Sequence, residues 1–101
     1  MKSHSITVIV EGRAISVTPD PLIMTSDDEL SWKCSGPQRI TVEFDGAGPF
    51  ESRSLGHDAA TRAQRPKQRG RFKYTVSLES DPSVNLDPDV VVGDPPSTPH
   101  P

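Results

Sequence analysis

The sequence predicts an all-β chain, folded as one antiparallel β-sandwich of about seven short strands. Three observations carry this. Short runs of β-branched or alternating apolar residues recur from residue 6 to residue 92, with turn-forming residues between them. Eleven prolines and seven glycines leave little room for helix. At 101 residues the chain has the length of one domain, and such a domain buries about 60–70% of the surface its unfolded chain exposes. Only 32% of the residues are hydrophobic and 5% aromatic, so part of the chain is expected outside the core.

The elements follow in order. Residues 6–10 (ITVIV) and 14–19 (AISVTP) are two strands with a turn or bulge at Gly12. Pro19 and Pro21 close the second, because proline has no N–H for a ladder. Residues 22–24 (LIM) form a short strand, and 25–29 (TSDDE) a turn in which Asp27 and Asp28 can accept from backbone amides. The alternation in 30–34 places Leu30, Trp32 and Cys34 on one face, and that in 40–44 does the same for Ile40, Val42 and Phe44. Residues 45–69 hold no sustained period. They read as a long excursion anchored by Phe50 and Leu55, with a helical turn in 57–65 capped by Asp58 and stopped by Pro66. Alternation returns over 71–78, with Phe72 and Tyr74 facing the core, and residues 90–92 are the last strand. The sandwich is thus expected over 1–93 with a long loop at 45–70. Residues 94–101, with four prolines, are expected to be a flexible extended tail.

The single cysteine, Cys34, excludes an intramolecular disulfide. The apolar run 6–10 is too short for a secretory leader or a membrane span, so a full-length chain of this sequence is expected in the cytoplasm, with a trimmed secreted form as the alternative. Residues 53–73 hold seven basic side chains against Asp58 alone, a balance of +6. The other residues balance at −9, which gives the net charge of −3. An acidic body carries one basic segment.

Taken together, the stretches 15–32 (ISVTPDPLIMTSDDELSW), 37–44 (PQRITVEF) and 70–76 (GRFKYTV) resemble the cupredoxins, Greek-key sandwiches such as plastocyanin and azurin. The resemblance implies a cupredoxin-like Greek-key sandwich over about residues 5–93. It also implies where copper ligands would stand. A blue-copper site takes two imidazoles, a thiolate and a weak axial methionine. The first histidine position falls at Gln38, Arg39 or Ile40, and the cysteine position at Val76. Neither the second histidine nor the methionine occurs in 77–89. All four ligands are missing, so no metal and no cofactor are expected.

Two further constellations hold residue types that carry chemistry elsewhere. Cys34 and His57 are ligand types for soft or borderline metals. Cys34 nevertheless reads as a buried apolar thiol beside Trp32, and His57 as a solvated loop side chain. Ser54, His57 and Asp58 lack the buried orienting carboxylate and oxyanion hole of a triad, so no catalytic residue is expected. The remaining signal is the basic segment, with candidate partner-binding residues Arg53, Arg62, Arg65, Lys67, Arg69 and Arg71. Spacing by two over 65–73 would place these cations on one side of an extended segment. The expected function is a non-enzymatic interaction module that binds a protein partner there. Nucleic-acid or polyanion binding through the same loop is the alternative, weakened because Phe72 and Tyr74 would be unavailable for base stacking. Metal-based electron transfer ranks third.

Overall fold

The computed structural model describes residues 2–94. The described residues form nine strands and one helical turn: β1 (Ser3–Glu11), β2 (Ala14–Thr18), β3 (Leu22–Thr25), β4 (Glu29–Cys34), β5 (Ile40–Phe44), β6 (Ser54–Leu55), α1 (His57–Ala60), β7 (Gly70–Leu78), β8 (Asn85–Leu86) and β9 (Asp89–Gly93). They form two sheets packed face to face. One has the order β2-β1-β4 and the other β3-β9-β7-β5-β6, with β8 alongside β7. The sandwich is the one expected from the sequence. Two of its pairs, β1–β4 and β3–β9, run parallel, which alternation within a strand cannot reveal.

Alternation does set the core. Leu22 and Met24 of β3 point inward while Ile23 between them is the one large apolar side chain exposed among the described residues. Trp32 is 1% exposed and sits at the centre. Its ring meets Phe44, Phe50 and Tyr74 edge-on, at centroid distances of 6.3, 6.1 and 5.5 Å. Its Nε1 donates to the Tyr74 hydroxyl at 3.2 Å, so the one polar atom of the indole is satisfied inside the core.

The β1–β2 hairpin turns at Gly12, whose φ of 61° suits glycine. Between Thr18 and Leu22 the chain leaves the small sheet and joins the large one as β3. The β3–β4 turn is fixed by Asp28, 5% exposed, whose carboxylate accepts from the backbone amides of Lys2 and Thr25 and contacts His4 Nε2 at 2.9 Å. These contacts, the Thr25 amide first, then His4 and the Lys2 amide, hold the carboxyl well below the usual carboxylate range.

The excursion between β5 and β7 is more ordered than its composition suggests. Gly48 lies so close to Phe44 that a Cβ there would stand 2.8 Å from that side chain, and its φ is 68°. This tight crossing seats Phe50 in the core, and Leu55 follows it, as expected of both anchors. Two features differ from expectation. The helix is a single turn whose N-cap is Gly56, with no side-chain cap, and Asp58 lies inside its first turn. It ends at Ala60, before Pro66 is reached, so proline does not stop it. From there 61–69 runs as an irregular strap along the edge of β4. Leu30 and Gln64 exchange two backbone hydrogen bonds at 2.9 and 2.8 Å, and the Lys67 amide donates to the Pro49 carbonyl at 2.6 Å. No helix among the described residues is long and apolar enough to cross a membrane. The proline-rich tail reading concerns 94–101, of which all but Asp94 lie outside the described residues.

Candidate functional site

Two places follow from the sequence: the pole of the sandwich where the resemblance would put metal ligands, and the basic segment. At the pole, β5 begins and β7 ends side by side, with Ile40 opposite Leu78 and Val42 opposite Val76. The 79–84 turn folds over them, the Leu78 amide donating to the Val84 carbonyl at 3.1 Å and the Glu79 amide to the Arg39 carbonyl at 2.9 Å. Ile40, Val76 and Val84 are at most 3% exposed and fill this end with hydrocarbon. Polar contacts close it from outside. Arg39 Nε donates to both Glu79 oxygens at 3.2 and 3.3 Å and its Nη2 reaches Asp58 at 3.5 Å. Arg13 spans to Asp81 and Ser83 at 3.2 and 3.0 Å. The Ser83 hydroxyl and amide, with Arg13 adding to them, lower the Asp81 pKa.

These residues do not fit a copper ion. Ile40 and Val76 carry no side-chain lone pair, and the Arg39 guanidinium beside them can only donate hydrogen bonds. Cys34 and His57 do come together in one respect, since both line a cavity of about 310 Å³ with Gln38, Lys33 and Thr61. Neither matches its expected environment. The Cys34 thiol is half-buried rather than buried, with Gln38 Oε1 3.8 Å away. His57 is half-buried rather than solvated, because its Nδ1 accepts the Ile40 amide at 3.0 Å. Among the described residues no three His, Cys, Asp or Glu side chains gather as a metal would require.

Comparison with known proteins gives one kind of match. No family model matches the chain. Among curated proteins nothing matches either. Among solved structures, a pseudoazurin from Sinorhizobium superposes with a TM-score of 0.63 over 94% of this chain and 76% of that one, at 13% identity. The fold is that of a cupredoxin. At 13% identity the likeness concerns the fold alone, and the ligand positions have to be judged on this cupredoxin-like chain's own residues, as above.

The basic residues divide into two groups. Arg71 and Lys73 lie on β7 and converge on Asp89 of β9, at 2.6 and 3.7 Å. Asp89 is largely withdrawn from solvent, at 19% side-chain exposure, and Arg71 first, then Lys73, lowers its pKa. Arg53, just before β6, faces Glu43 of β5 at 3.5 Å. These three belong to the outer surface of the large sheet. Arg62, Arg65, Lys67 and Arg69 belong to the strap. The expectation that spacing by two aligns residues 65–73 on one side is not met. The strap bends at Lys67 and Gln68 to reach Pro49, and only from Gly70 onward is the chain a strand.

On the strap, Arg62 makes no ion pair among the described residues. Arg65 donates to the Asp27 carbonyl, at 3.5 Å. Lys67 stands 4.0 Å from Glu51, and Arg69 pairs with Asp94. Lys67, Gln68 and Arg69, together with Pro66 and Ser26 of the β3–β4 turn, line an open cleft of about 650 Å³. Sequence reasoning missed this cleft, because Ser26 and Arg69 are far apart in the chain. It also missed the acids that pair with the cations, since only the strand order brings Asp89 beside Arg71.

Proposed function

We propose that this protein is a non-enzymatic interaction module that docks an acidic protein partner on the strap of residues 61–69. One observation carries the reading. Four cations are displayed on a segment whose backbone is already fixed at Gln64 and Lys67, so binding need not order a mobile loop. At the pole where the cupredoxin fold would carry its chemistry, the side chains are hydrocarbon and ion pairs. Arg53 and Arg71 have a lesser part here than the sequence suggested, as they face the outside of the large sheet. Burial of Tyr74 and half-burial of Phe72 leave no aromatic platform beside the cations, which favours a protein partner over single-stranded nucleic acid.

The test is charge reversal of Arg62, Arg65, Lys67 and Arg69 to Glu, with partner capture compared between the reversed and original proteins. Each site is exposed, where substitutions usually change stability by about 0.5 kcal/mol or less, so circular dichroism should report an unchanged fold. The partner should be lost. Capture should also weaken with salt, as the Debye length falls from about 10 Å at 0.1 M to about 3 Å at 1 M. A folded, reversed protein that retains the same partner equally well would overturn the proposal.

A further inference from the structure

We propose that the cleft between the strap and the β3–β4 turn is the anchor for a carboxylate-bearing peptide segment, and that Asp94 occupies its arginine in cis and weakens that binding. This rests on the strap being the docking surface, and adds which residues take the acid and what competes for them. The cleft brings together an ammonium, a guanidinium, a carboxamide and a hydroxyl, on Lys67, Arg69, Gln68 and Ser26. All four can donate hydrogen bonds to a carboxylate, and the two cations supply the charge.

Asp94 shows what the cleft's arginine accepts. It follows β9 directly, and its carboxylate lies on the Arg69 guanidinium. The pair is loosely held, with side chains 63% and 73% exposed. The Arg71–Asp89 pair differs: Asp89 is 19% exposed and its backbone is also tied to Asp20, so its cations are committed to the fold. Lys67 is likewise only loosely engaged by Glu51 at 4.0 Å. A partner's acidic side chains can therefore displace Asp94 and Glu51 at little cost, since exposed ion pairs contribute little. The exposed Asp27 beside Ser26 marks the side from which a peptide acid would be repelled. That biases the peptide toward Lys67 and Arg69.

The probe is a fluorescein-labelled octaglutamate peptide, followed by anisotropy at low ionic strength with the complete chain. Lys67→Glu and Arg69→Glu should each abolish binding, and Arg69→Gln should weaken it. Arg53→Glu and Arg71→Glu should leave affinity within about twofold. Asp94→Asn should raise affinity about two- to fivefold, the range that release from an exposed ion pair spans. Circular dichroism checks the fold of each variant. Equal losses from the Arg53 and Arg71 reversals would overturn the cleft while leaving a basic docking segment. Unchanged or weaker binding by Asp94→Asn would overturn the competition in cis. Tighter binding of an oligothymidylate of equal charge would overturn the choice of a peptide carboxylate. No octaglutamate binding by the original protein would overturn this inference, whereas the docking proposal falls only with the partner-capture experiment.

Discussion

Truncating Trp32 to alanine tests the core on which both faces of the molecule depend. The side chain is 1% exposed and ringed by Phe44, Phe50 and Tyr74. Removing a large buried aromatic costs about 3–5 kcal/mol, through lost burial and the cavity left behind. A second loss adds to it. The Tyr74 hydroxyl is bonded to Trp32 Nε1, and a buried polar group deprived of its partner costs about 1–3 kcal/mol. We expect a loss above about 4 kcal/mol, a large share of the 5–15 kcal/mol or so that stabilises a typical domain. Urea unfolding followed by far-ultraviolet circular dichroism measures this without relying on the deleted fluorophore. Trp32→Phe keeps ring packing while removing the donor, and should cost clearly less. A loss below about 1 kcal/mol for Trp32→Ala would refute the reasoning, because it would mean that this strand face does not pack in the core.

Three other outcomes follow from the polar contacts. Asp28 has its pKa lowered on folding, so its contribution is present above its unfolded value near 3.8 and disappears as pH falls through the folded value. The stability gap between the original protein and Asp28→Asn, read from urea midpoints, should therefore shrink on acidification. Tyr74 behaves oppositely, since burial raises its phenol above the ordinary 10.0, and its contribution is lost as pH rises beyond that value. It is the one tyrosine of the chain, so the phenolate absorbance should appear only together with unfolding. Arg39→Ala removes exposed contacts to Glu79 and Asp58 at the pole, and a thermal melt should show a cost of no more than about 1 kcal/mol.

The parts of the fold legible in the sequence were those written by alternation. Leu30 and Trp32, then Ile40, Val42 and Phe44, then Tyr74, Val76 and Leu78 face the core because a buried face requires every second residue to be apolar. β6 and β8 are two residues long and carry no period, so they could not be read. The parallel pairings depend on which distant strands meet. The role of Asp28 was half legible: a turn aspartate able to bond amides was visible, but its contact with His4 depends on β1 lying beside β4. His57 was misread because its partner, the Ile40 amide, begins a strand 17 positions away. The basic segment was visible as charge. Its division between strap and sheet was not, because bends and cross-strand acids decide it.

We propose that this cupredoxin-like fold works through its strap and not through a copper site. Titration of the purified protein with Cu(II), followed by visible absorbance, tests this most directly. With Val76 buried where the resemblance requires a thiolate, and Gln38, Arg39 and Ile40 where it requires the first imidazole, the protein should stay colourless at one equivalent, without the intense thiolate-to-copper band of a trigonal site. An intense blue species at one equivalent, lost on Cys34→Ser, would overturn this proposal and move the chemistry to the Cys34–His57 cavity.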